Sequence, residues 1–108
     1  MLIRIVRMEF KPEKVNDFLE LFETVKDKIS TFPGCKHLEL CKDAKLDHVY
    51  YTFSKWEGEE DLENYRHSEL FEGTWAKTKI LFGGKPLAYS LIAQTIKSIV
   101  SGTFDLKE

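Results

Sequence analysis

The chain is short of most features that mark a specialised class. Of its 108 residues, two are cysteine and three histidine, and 16 lysines and arginines do not outnumber 18 aspartates and glutamates. With a formal net charge of −2 and both signs interspersed, no basic field is offered to nucleic acid or to an anionic membrane, so neither is expected as a partner. No apolar run approaches the roughly 20 residues that span a bilayer. The opening MLIRIVRMEF carries Arg4 and Arg7 within its apolar run and has no small-residue cleavage site, so it reads as a strand rather than a signal peptide. Two cysteines without a secretion signal fit reduced thiols and a cytoplasmic setting. FGGKP (Phe82–Pro86) follows a helical pattern, and its lysine lacks a Ser/Thr neighbour, so it is no phosphate loop. Spacing picks out no Ser/His/Asp set.

What is present is an apolar, aromatic-rich chain. Hydrophobic residues make up 43%, enough for one domain and too little for two. Aromatics make up 13%, which suggests an interface that completes the core or a pocket with flat walls.

The segment Leu2–Phe10 reads as a strand with Leu2, Val6, Met8 and Phe10 on one face and Ile3 and Ile5 on the other. A strand apolar on both sides should be covered on both. Arg4 interrupts the first face. Lys11-Pro12-Glu13 opens a helix, with proline where its missing N–H costs nothing. Val15, Phe18, Leu19, Phe22, Val25 and Ile29 then form one apolar stripe, ended by Phe32-Pro33-Gly34.

Cys35–Lys42 and His48–Trp56 read as a hairpin. The residues from Glu57 to Arg66 form a short helix with Leu62 and Tyr65 inward. Ser68 is the expected N-cap of a second helix running to about Ile80, with Leu70, Phe71 and Trp75 inward. Leu87–Ala93 is the last strand. The order β-α-β-β-α-α-β predicts an α+β, ferredoxin-like split βαβ domain over residues 1–93, with a four-stranded antiparallel sheet and helices on one face. The uncovered face and the aromatic excess point to a second subunit. Residues 94–108 are expected to be a tail, with Ile96, Ile99, Val100 and Phe104 over that partner.

PGC (Pro33–Cys35) after a long helix, FSKW (Phe53–Trp56), EEDLENYRHSELFEGTW (Glu59–Trp75) and KPLAYSL (Lys85–Leu91) occur here in order. In these the chain resembles the antibiotic biosynthesis monooxygenase (ABM) family of the dimeric α+β barrel superfamily, over roughly Met1–Leu91. The resemblance implies a homodimer of ferredoxin-like sheets, each subunit with a pocket between the sheet and the helices near the tryptophan motif. It also implies oxidation of quinols or polyphenols by O2 without metal or flavin, so no cofactor is expected. The haem-degrading branch has an axial histidine where this chain has Trp75, and a tryptophan where it has Tyr65.

Asn64, Tyr65 and His67 fall where the family often has pocket residues and are the catalytic candidates, suited to deprotonating a phenol and stabilising its anion. Each has a plainer reading, Tyr65 as core and His67 as an exposed helix junction. Arg4 would meet a phenolate or carboxylate if its face lines the pocket, and otherwise snorkels into water. Trp56 reads as a packing anchor or a pocket wall, and Trp75 as a pocket wall or core. Cys35, His37, Glu39 and Cys41 are expected on one strand face, with His48 on the neighbouring strand. Their spacing matches no zinc knuckle, so no metal is expected. Two functions stay open: a cofactor-independent monooxygenase, or a non-catalytic barrel that binds a small aromatic ligand or acts as a scaffold.

Overall fold

Runs of β-branched and aromatic residues make four strands, and proline and glycine punctuate the rest. The computed structural model describes residues 1–95 and 97 of the chain. In order come β1 (Leu2–Glu9), a 3-10 turn (Pro12–Lys14), α1 (Val15–Ser30), β2 (Cys35–Lys42), β3 (Val49–Trp56), α2 (Glu59–Arg66), α3 (Glu69–Lys79) and β4 (Leu87–Ile92). The strands form one sheet in the order β2-β3-β1-β4, with every neighbouring pair antiparallel. This is the expected split βαβ topology. Residues 96, 99, 100 and 104, assigned above to a partner's surface, lie outside the described residues.

Alternation along the strands gives the sheet two different faces. Leu2, Arg4, Val6 and Met8 of β1 lie beside Trp56, Ser54, Thr52 and Tyr50 of β3, and the helices cover this side. The apolar stripe of α1 buries Phe18 and Ile29, and Phe10 stacks on Phe18 with ring centroids 4.2 Å apart. Two packed clusters result. One contains Met8, Phe10, Phe18, Tyr50 and Leu81. The other contains Leu2, Trp56 and Leu62, with Phe32, Cys35 and Tyr65 against it.

Two turns hold the helices in place. Gly34 takes a left-handed conformation, φ 88°, which glycine alone adopts without steric cost, and a Cβ there would collide with the Asp61 side chain. Its carbonyl accepts the Glu57 N–H at 2.8 Å, joining the end of α1 to the start of the α2 segment. Ser68 caps α3 as expected: its hydroxyl oxygen accepts from the Phe71 N–H at 3.1 Å and donates to the Tyr65 carbonyl at 2.6 Å. One side chain therefore fixes the corner between α2 and α3.

One expectation about β2 fails. A register shift between Cys35 and His37 sets Cys35 opposite Trp56 but His37 opposite Lys55. Such a bulge puts an extra residue on one strand and reverses which side its residues face. Cys35 thus joins the helix-covered side, while His37, Glu39 and Cys41 lie on the open side. The four residues do not share a face. His48 lies one residue before β3, with its ring Nε2 3.9 Å from Glu9.

Candidate active site

Between the two packed clusters the chain leaves a cavity of about 320 Å³. Arg4, Val6 and Met8 of β1, Thr52 and Ser54 of β3, and Ala88 of β4 contribute to its floor. The opposite wall comes from Phe18 and Phe22 of α1, from Leu62, Tyr65 and Arg66 of α2, and from Phe71, Thr74, Trp75 and Thr78 of α3. Because β4 is exposed along its whole length, the helices leave that side of the sheet uncovered.

The aromatic walls form a continuous run. Tyr65 stacks on Trp56 at 5.0 Å and meets Phe71 edge-on at 5.2 Å. Phe71 stacks on Trp75 at 5.9 Å, and Trp75 meets Phe82 edge-on at 5.5 Å. Flat rings in such an array favour a planar aromatic ligand.

Polar groups are few. Ser54, Arg4 and Ser90 stand side by side across three strands. Arg4 Nη1 donates to Ser90 Oγ at 2.9 Å, and the buried Trp56 Nε1 donates to Ser54 Oγ at 3.0 Å. The Trp56 indole N–H is therefore committed inside the protein, whereas that of Trp75 has no partner among the described residues. Arg4 has no carboxylate within salt-bridge reach among those residues. Burial, and next the positive charge of Arg66, hold its guanidinium below the ordinary arginine value, against a smaller opposing pull from Glu63.

Tyr65 lies mostly out of water, and that desolvation pushes its hydroxyl well above the ordinary tyrosine value. The phenol stays neutral at physiological pH, so it is a hydrogen-bond donor and not a base. Its hydroxyl has no partner among the described residues. No buried side-chain oxygen or nitrogen is left unsatisfied there either, so this hydroxyl keeps access to the cavity or to solvent.

The six sequence candidates divide. Arg4, Trp56, Tyr65 and Trp75 meet at the cavity. Asn64 and His67 do not: both are exposed, and the His67 side chain, 77% accessible, turns to Glu63 at 3.3 Å. On an eight-residue helix whose inner side is Leu62 and Tyr65, positions 64 and 67 fall toward water. Arg66 was missed, although it stands four residues after Leu62 and so shares its side. Thr52 and Ser54 could have been found by counting back from Trp56 in steps of two. Among the described residues no histidine or cysteine lines the cavity, and the indole of Trp75 does not suit iron.

Residues 1–77 match the model of the family described as antibiotic biosynthesis monooxygenase. The chain belongs to the antibiotic biosynthesis monooxygenase family. Among solved structures it is similar to a protein described as an antibiotic biosynthesis monooxygenase, with a TM-score of 0.82 and 20% identity, covering 88% of this chain and 100% of that one. It is also similar to Rv0793 from Mycobacterium tuberculosis (TM-score 0.82, 16% identity, 90% and 98% covered). A conserved protein from Methanosarcina mazei Go1 gives 0.79 at 18% identity, with 84% and 91% covered. At such identities these likenesses speak for the fold alone. No curated protein resembles the chain closely enough in sequence to count as a match. Among the described residues no helix of this family member is long and apolar enough to cross a membrane.

Proposed function

We propose that the protein is a homodimeric, cofactor-independent monooxygenase that oxidises a quinol or polyphenolic small molecule with O2. The observation that carries this reading is the cavity itself: aromatic walls, a guanidinium in the floor and one neutral phenol, in a chain of this family. In such a reaction the ionised substrate supplies the electrons. It reduces O2, a carbon–oxygen bond forms, and the resulting hydroperoxide loses water. One oxygen atom stays as a new carbonyl, and the other leaves in the water together with the two hydrogens that the substrate gives up, one of them as the proton lost on ionisation. The protein's share is to favour the substrate anion, orient it and keep water out. Arg4 would stabilise the anion, Tyr65 would donate a hydrogen bond to its oxygen, and Trp56 and Trp75 would hold the ring.

The open face of the sheet supports the dimer. Ile3, Ile5 and Phe53 lie there beside the exposed Leu87, Tyr89 and Leu91 of β4. A contiguous apolar surface of this kind is a common sign of an interface. A second reading, a non-catalytic barrel that binds an aromatic ligand, is favoured by one observation: among the described residues no imidazole or carboxylate lines the cavity to take the substrate's proton. Substrates that ionise near neutral pH in the field of Arg4 meet that difficulty.

The test is oxygen uptake by metal- and flavin-free protein over a panel of reduced quinones and anthrone-like phenols. Saturable uptake above the autoxidation blank, lowered by Arg4→Met and Tyr65→Phe, is the expected result. A panel with no uptake but with saturable ligand binding would favour the second reading.

A further inference from the structure

We propose that the ligand of this cavity carries a carboxylate beside its ring system, and that Arg4 and Arg66 hold that carboxylate between them. The inference rests on the cavity being the substrate site of the monooxygenase proposed above, and it narrows the substrate to an aromatic acid.

Two arginines line the same cavity, one from the floor and one from the last turn of α2, and among the described residues no aspartate or glutamate lines it. Arg66 Nη1 donates to Glu63 Oε1 at 2.8 Å, outside the lining, while Arg4 has only the neutral Ser90 hydroxyl. Each guanidinium carries five N–H donors, so both keep donors to spare. Two like charges brought together beside an apolar cavity are unfavourable without a counter-charge. Glu63 offsets part of this from one side, and an anion between the two guanidinium groups would offset the rest. A neutral quinol would leave the arginines as they are.

The planar fork of arginine matches a carboxylate with two parallel hydrogen bonds. A carboxylate conjugated to a flat ring also keeps the ligand planar, as the stacked walls of Tyr65, Trp56, Phe71 and Trp75 require. The cavity thus offers charge at the arginines and flat rings at Tyr65, Phe71 and Trp75.

The experiment compares two unreactive probes that differ only in charge, 2-naphthoate and 2-naphthamide, by titration calorimetry with the full chain. The expected result is about tenfold or more tighter binding of the acid, the size of a charge-assisted hydrogen-bonding contribution. That preference should shrink as salt rises and vanish in Arg4→Met and Arg66→Met. Equal affinity for the two probes, tighter binding of the amide, or binding of neither overturns the proposal. The wild-type comparison decides even if a variant fails to fold. Oxygen uptake separates the two readings. Turnover of neutral quinols without a preference for acids keeps the oxygenase and removes the carboxylate, and a preference for acids without uptake does the reverse.

Discussion

The two faces of the sheet are made from alternate residues of the same strands, and they treat charge in opposite ways. On the open face the carboxylates find partners, and Lys55 lies over the Phe53 ring. Arg7 reaches Glu9 at 3.7 Å, His48 reaches the other oxygen of Glu9, and His37 meets Glu39 at 2.9 Å. The His37 and Cys41 hydrogen bonds hold the Glu39 carboxyl below its ordinary value. On the helix-covered face the strands contribute one charge to the cavity, Arg4, and its side chain meets only a serine hydroxyl. The open face is electrostatically settled and lacks an apolar cover. The covered face holds a cavity with Arg4 in its floor and, among the described residues, no carboxylate. One side of the sheet therefore presents an apolar surface, and the other a guanidinium within a cavity.

Substitutions should break this contrast at one face without disturbing the other. The largest effect is expected from Trp56→Ala, since Trp56 is 1% exposed and packs between strand and helix. A loss of about 3–5 kcal/mol in urea unfolding is expected; a loss below about 1 kcal/mol would mean that Trp56 does not anchor the core. Tyr65→Phe keeps the ring stack and removes one donor. Turnover should fall about a hundredfold in stopped-flow assays, the usual effect of deleting such a donor, with little change in stability. Leu91→Glu puts a charge on the open face, where sedimentation should reveal a dimer weakened by about tenfold or more while probe binding in the cavity stays unchanged.

Alkaline pH probes the same tyrosine through stability. Folding holds the Tyr65 proton above the pH at which an unfolded chain releases it. The folded state therefore binds more protons, and stability present below about pH 10 declines above it, by up to about 1.4 kcal/mol per unit. Denaturation of the wild type and Tyr65→Phe at pH 9 and pH 11 should give a smaller decline in the variant. The smallest effect is expected from Asn64→Ala and His67→Ala, whose steady-state rates should stay within about twofold of wild type because both side chains face water.

Much of the fold was legible because it rests on simple periods. The 3.6-residue stripe from Val15 to Ile29, the Pro33-Gly34 stop and the Ser68 cap each carry a local physical reason that tertiary packing did not override. The site was legible only in part. Aromatic residues near FSKW point to a pocket wall, but the chemistry of Asn64 and His67 does not reveal that both side chains are exposed beside a two-turn helix. Arg66 looked like an ordinary cation at a helix C-terminus, where such residues are favoured anyway. The bulge in β2 had no local signal, since CKHLELCK alternates as a regular strand would. It arises from pairing with β3, which a single segment does not encode.

That bulge also fixes the redox options of the chain. Both cysteines are free thiols, one on each side of β2 and six residues apart. Along an extended strand six residues span about 20 Å, far beyond the roughly 7 Å within which two Cα atoms can be bridged. Folded, the protein has no route to an internal crosslink. An oxidant can join it only to another molecule, and a thiol reagent should find Cys35, beside Trp56, and Cys41, on the open face, as two independent reporters of opposite sides of one sheet.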